Sequence, residues 1–142
     1  MSKRVYVAGP LFNEAERAFD ESIAALCEGL GFETFLPHRD VQGEDNAEDI
    51  FSADLQALER ADLVVANLDG HDVDAGTAWE IGYAVARGKP IIGIRTDRRC
   101  LEPWAPINVM IAESTFIVTS LADLEAAVRA YREAGDVPTR GR

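Results

Sequence analysis

Four carboxylates fall within twelve positions of one stretch, DGHDVDAGTAWEIGYA (69–84): Asp69, Asp72, Asp74 and Glu80. A carboxylate in a mostly apolar, partly dry setting can act as a nucleophile or as an acid. Glu80 has such neighbours. Trp79, Ile81 and Tyr83 flank it, and the small residues Ala78, Gly82 and Ala84 suit close packing or a ligand lying against the helix. A structural role competes. Thr77 and Glu80 match the capping pattern [ST]xxE, in which Thr77 caps the helix and Glu80 bonds back to it. Local pattern by itself favours the cap. Asp69 and Asp72 read as solvation of a turn, whereas Asp74 leads directly into AGTAWEIG. Asp54 is a second anomaly. Ile50, Asp54 and Leu58 follow i, i+4, i+8 spacing, so this carboxylate is either peripheral or faces a cavity beside an apolar stripe.

Other chemistries lack their residues. Neither GxGxxG nor GxxxxGK[ST] is present, and the Pro of AGPLF (8–12) removes a backbone donor that a phosphate loop would use. A phosphoacceptor receiver needs paired acids after the first strand, where this chain has VAGP. His38 and His71 stand apart without Cys or His partners, which argues against zinc. The GxSxG elbow of a serine hydrolase and the twelve-residue calcium loop are both missing.

These carboxylates need a frame. The 142 residues suit one domain with one substantial core. The formal net charge of −11 argues against a nucleic-acid polymer and against an anionic membrane surface as partner. Cys27 and Cys100 have no paired spacing and read as free thiols of a reducing cytoplasm. The start of the chain has no apolar signal core, and nothing later reaches 18 apolar residues, so a soluble cytoplasmic protein is expected.

Apolar runs predict strands at 4–9, 32–37, 62–68, 89–95 and 115–119. Helical spacing predicts helices at 13–31, about 47–60, about 77–87 and 121–135, with Asn13 as the first N-cap and Gly31 as its stop. Residues 38–46 read as a polar loop, 96–114 as a long irregular connection and 136–142 as a loose tail after a single domain over 1–135. Strands alternating with helices predict an α/β fold: a doubly wound, five-stranded parallel sheet of flavodoxin-like order 2-1-3-4-5. Ligands bind beyond the carboxyl ends of such strands, where AGPLF, PHRD, NLDGHDVD and RTDRR fall.

Several segments together resemble the nucleoside 2-deoxyribosyltransferases: VYVAGPLF (5–12), SADLQALERADLVVANLDG (52–70), DAGTAWEIGYAVARGKPIIGI (74–94) and PINVM (106–110). The resemblance implies that Glu80 attacks the anomeric carbon of a 2-deoxyribosyl group, forming a sugar ester that a second base then attacks, with retention. It implies further that Asp54 relays a proton to the leaving base, that Tyr6 orients Glu80, and that Asp74 bonds sugar hydroxyls. Gly9 and Phe12 of the first loop would also contact substrate. Asn108 and Met110 would reach the site of a neighbouring subunit in a homo-oligomer. No metal or organic cofactor is implied.

The implied partners are a deoxynucleoside and a free nucleobase. Arg39, Asp40 and Gln42 are candidates for base contact, although their loop does not align with the family's. A related branch hydrolyses deoxynucleoside 5′-monophosphates. The acidic, Ser-free loop GPLFNEAE and the segment INVM favour a substrate without phosphate, unless Arg98 and Arg99 point inward. A hydrolase using Glu80 and a non-catalytic nucleoside- or nucleotide-binding module are the alternatives.

Overall fold

The computed structural model describes residues 3–43, 45–99 and 102–138. Cys100 lies outside them. Five strands form one parallel sheet in the order β2-β1-β3-β4-β5. They are β1 (Arg4–Ala8), β2 (Glu33–Phe35), β3 (Leu63–Asn67), β4 (Ile91–Ile94) and β5 (Phe116–Val118). The helices are α1 (Glu14–Gly29), α2 (Pro37–Asp40), α3 (Ala47–Arg60), α4 (Ala75–Ala86), α5 (Val109–Ser114) and α6 (Leu121–Ala134). The expected doubly wound order is therefore the observed one. None of the described helices is long and apolar enough to cross a membrane.

The two-residue period of a strand divides the core. Val5 and Val7 of β1 and Leu63 and Val65 of β3 pack with Ile23 and Cys27 of α1 and with Leu124 and Val128 of α6. Tyr6 and Ala8, with Val64 and Ala66, point to the other face, against Leu58 of α3 and Ile81 of α4. This parity sends the Tyr6 side chain toward the helices that carry Asp54 and Glu80. The Cys27 thiol is fully buried, and burial pushes its pKa up to about 12.

Side chains cap the helices where the sequence supplies Asn, Asp or Ser. Asn13 accepts from the Glu16 amide at 2.8 Å, Asn46 from Asp49 at 2.9 Å, and Ser120 from Asp123 at 3.1 Å. Three differences from the sequence reading stand out. Pro37, the last residue of the expected strand 32–37, instead opens the short helix α2, which takes in the start of the expected 38–46 loop, because its fixed φ suits a first helical position. Asn108 caps α5 inside the expected irregular connection. Val137, beyond α6, is buried in the core on the α1/α6 face, so the segment after the last helix is anchored there.

Candidate active site

The loop after β1, Pro37 after β2 and Asp74 before α4, together with α3 and α4, enclose a cavity of about 350 Å³. Its charged lining groups among the described residues are Asp54, Asp74 and Glu80. Gly9 and the aromatic rings of Phe12, Phe51 and Trp79 complete much of the wall. Trp79 stacks on Tyr83 at 5.6 Å, and Phe51 meets Trp79 edge-on at 5.7 Å. Phe12, Phe51 and Trp79 remain at least half exposed, so flat apolar surface is presented to a ligand rather than buried in the core.

Helix α4 begins at Ala75, two residues before the expected start. Its cap is Asp74 and not Thr77. Asp74 Oδ2 accepts from the Thr77 amide at 3.0 Å and from the Thr77 hydroxyl at 3.1 Å. Thr77 thus sits inside the first turn, and Glu80 lies a turn further on, where it meets Tyr6 instead of the helix start. The capping box fails because a stronger cap occurs three residues upstream of Thr77. Both Asp74 bonds use Oδ2, which leaves Oδ1 for a ligand.

The Tyr6 hydroxyl donates to Glu80 Oε2. Tyr6 is fully buried and stacks on Phe35 at 5.6 Å, so the donor is held rigidly. Burial, then the charge of Glu80, pushes its pKa well above the usual phenol range, and Tyr6 remains a donor. Burial also raises Glu80, to about 7; the Tyr6 bond opposes this rise, and the charges of Asp54, Asp74 and Asp20 add to it. Asp54 is raised to about 6 by burial, and its Oδ1 is a buried acceptor without a partner. Ile50 is exposed and Leu58 buried, so the stripe runs from surface to core and Asp54 sits at the cavity wall between them. Glu80 and Asp54 line one cavity, and the charge of Asp54 raises Glu80, so their titrations are coupled. The Tyr6 bond favours the charge on Glu80, but burial still leaves Glu80 above Asp54.

Asn108 and Met110 lie elsewhere. They line a separate groove of about 430 Å³ against Ala78, Ile81, Gly82 and Val85 of α4. Met110 is 77% exposed. Within one chain neither residue lines the Glu80 cavity. The base-contact candidates also face away. Arg39 bonds Asp40, Glu28 and Thr34, Gln42 is exposed, and Pro37 is the residue of that region that lines the cavity. Arg99 pairs with Asp97 at the surface, and Arg98 lines a different cavity.

Asp72 bonds its own turn, at Val73, as a turn residue would. Asp69 does more than solvate a turn: its carboxylate accepts from the amides of Thr96 and Asp97 and from the Thr96 hydroxyl, tying the loop after β3 to the loop after β4. Arg95 strengthens the same junction. It is 7% exposed and donates to the carbonyls of Leu68, Gly70 and Arg99. Sequence reasoning also missed Asp20, a fully buried carboxylate bonded to Asn67. Its signal was available, since Asp20, Ile23, Ala24 and Cys27 share one helical stripe.

A family model for nucleoside 2-deoxyribosyltransferase matches residues 5–127. A putative 2′-deoxynucleoside 5′-phosphate N-hydrolase 1 of Thermofilum pendens is 26% identical over 133 residues, which cover 88% of this chain and 90% of that one. An uncharacterized protein of Schizosaccharomyces pombe is 32% identical over 111 residues, 67% of this chain; the match spans about half (51%) of the yeast protein. Among solved structures, the 2-desoxiribosyltransferase from Leishmania mexicana superposes with a TM-score of 0.74 at 26% identity, covering 93% of this chain and 98% of that one.

Proposed function

Because the chain belongs to the nucleoside 2-deoxyribosyltransferase family, we propose that it transfers a 2-deoxyribosyl group between nucleobases through an ester on Glu80. Glu80 attacks the anomeric carbon as the bond to the base nitrogen breaks. Asp54 gives its proton to the departing base, which would otherwise leave as an anion, and a positioned acid is worth about 10²–10⁴-fold in rate. An acceptor base then attacks the anomeric carbon from the vacated side, and the bond from that carbon to the Glu80 oxygen breaks. The acceptor's proton returns to Asp54, and the Glu80 carboxylate is restored. Two displacements give net retention. Asp74 Oδ1 takes a sugar hydroxyl, and the rings of Phe12, Phe51 and Trp79 take the base.

The observation that carries this reading is that Glu80, bonded by Tyr6, shares one cavity with Asp54, whose Oδ1 is buried and unpartnered. The substrate is proposed to be unphosphorylated. Three carboxylates and no Lys, Arg or His line the described cavity, so a dianionic phosphate would be repelled. The resemblance of the Thermofilum protein favours a second reading, in which water takes the place of the acceptor base. Asn108 and Met110 are proposed to complete the sugar end of the site in a second copy of the chain.

Incubating a deoxynucleoside with a different free base decides between transfer and hydrolysis. A new nucleoside is expected. Free sugar alone, at every acceptor concentration, would exclude the transferase reading. Intact-mass detection of a deoxyribosyl adduct, absent in Glu80→Gln, tests the ester itself.

A further inference from the structure

Asp20 is a buried carboxylate to which the reaction above assigns no step. It is 2% exposed, on α1, and bonds no cation among the described residues. Its Oδ1 accepts from Asn67 Nδ2 at 2.9 Å, and the buried Asn67 in turn accepts from the Asp69 amide at 3.0 Å. The loop from β1 to α1 passes directly over it. A Cβ placed on Gly9 would come within 2.6 Å of Asp20 Oδ1 and 3.0 Å of the Asn67 Cβ. Only a residue without a side chain fits there, and Gly9 lines the Glu80 cavity. The carboxylate therefore sits under the floor of the site, pinned to the end of β3.

The groups facing Asp20 come from four elements. Asn67 on β3 donates to it, and His38 on α2 favours its charge. Glu16 on its own helix and Asp74 before α4 disfavour that charge. Burial outweighs them all and raises its pKa to about 7. From this position the charge of Asp20 opposes a charge on Glu80.

We propose that Asp20 is a positioning residue for Glu80: held by Asn67 beneath Gly9, it touches no substrate and sets, through its own charge, how readily the Glu80 carboxylate ionises. The proposal rests on Glu80 being the reacting carboxylate. When Asp20 holds a proton, Glu80 can carry the charge that attack requires. When Asp20 loses it, a second negative charge stands behind Gly9 at the wall of the Glu80 cavity, and Glu80 is driven to take up a proton.

The test reads the carboxyl carbon of Glu80 by ¹³C NMR across pH, with the signal assigned by its loss in Glu80→Gln. Asp20→Asn keeps an oxygen for Asn67 Nδ2 and removes the charge. The expected result is a lower Glu80 midpoint at an unreduced melting temperature, with the acid limb of kcat moving down equally and KM nearly constant. An unmoved Glu80 midpoint overturns the proposal. Asp20→Ala, which removes both charge and bond, should give the same downward shift; a shift in this variant alone would mean that the bond acts and not the charge, and also overturns it. Should neither variant fold, Glu80 is titrated in Asp54→Asn, where the Asp54 step is gone; a second step is then expected, and a single-step curve refutes the coupling. The NMR readout needs no substrate. A shifted midpoint in a chain that fails to transfer deoxyribose would sink the functional reading and leave the role of Asp20 intact.

Discussion

The Tyr6 hydroxyl donates to the Glu80 carboxylate across 74 positions of sequence. Strand parity turns Tyr6 toward α4, and the Asp74 cap starts α4 where Glu80 points back at the strand. The bond favours the charged form of Glu80 against the burial that raises its pKa.

Removing that donor should make Glu80 harder to ionise. In Tyr6→Phe the ring still packs on Phe35, so the fold is expected to persist. The bond lowers the pKa of Glu80, and its loss should move the acid limb of kcat/KM to higher pH, with the maximum falling roughly tenfold or more. A pH–rate profile measures both. An unchanged acid limb would show that Tyr6 does not orient the nucleophile.

The location of the cap separates stability from chemistry. Asp74→Ala should cost about 1 kcal/mol through the lost cap, read by denaturant unfolding, and should also raise KM. Glu80→Gln should abolish activity with little loss of stability. Equal destabilisation by the two changes would restore Glu80 to a structural role.

Asp54→Asn should slow transfer by about 10²–10⁴-fold for bases that leave poorly without a proton. The penalty should shrink for a deoxynucleoside whose base is already a good leaving group. Comparing the two substrates checks the acid role, since a purely positional defect would slow both alike.

Shared sites can be tested by mixing. Glu80→Gln and Asn108→Ala should each be nearly inactive, yet subunit exchange between them should restore up to about a quarter of wild-type activity, because half of the sites in a mixed dimer carry neither change. Activity that stays at the sum of the two variants would confine the site to one chain.

Stability should depend on pH through Asp20. Its pKa is 3.8 ordinarily and about 7 in the fold. Between those values the native state holds the proton more tightly than the unfolded chain, so this group's contribution to stability falls as pH rises. Asp20→Asn lacks that loss. Relative to the wild type it should be near neutral below about pH 4 and should gain stability up to about pH 7, on the order of a few kcal/mol. Urea unfolding at several pH values measures the difference, and a constant difference would contradict the raised pKa.

The sequence by itself determined the order of strands and helices, since buried β-branched runs and helical stripes are local patterns that each element displays alone. It also singled out Asp54 and Glu80, as carboxylates set among apolar neighbours. Tertiary structure decided what those patterns left open. The capping pattern pointed to Thr77, and only the folded chain shows Asp74 holding the Thr77 amide. Asp54 was equally compatible with solvent and with a cavity until α3 packed beside α4. Asp69 looked like turn solvation because its partners, Thr96 and Asp97, arrive from the next strand. Asp20 meets Asn67 from 47 positions away, under a glycine that leaves room for the pair. Such contacts join residues that no local period relates. They follow from the parallel crossovers, which bring the ends of β1, β3 and β4 to one edge of the sheet.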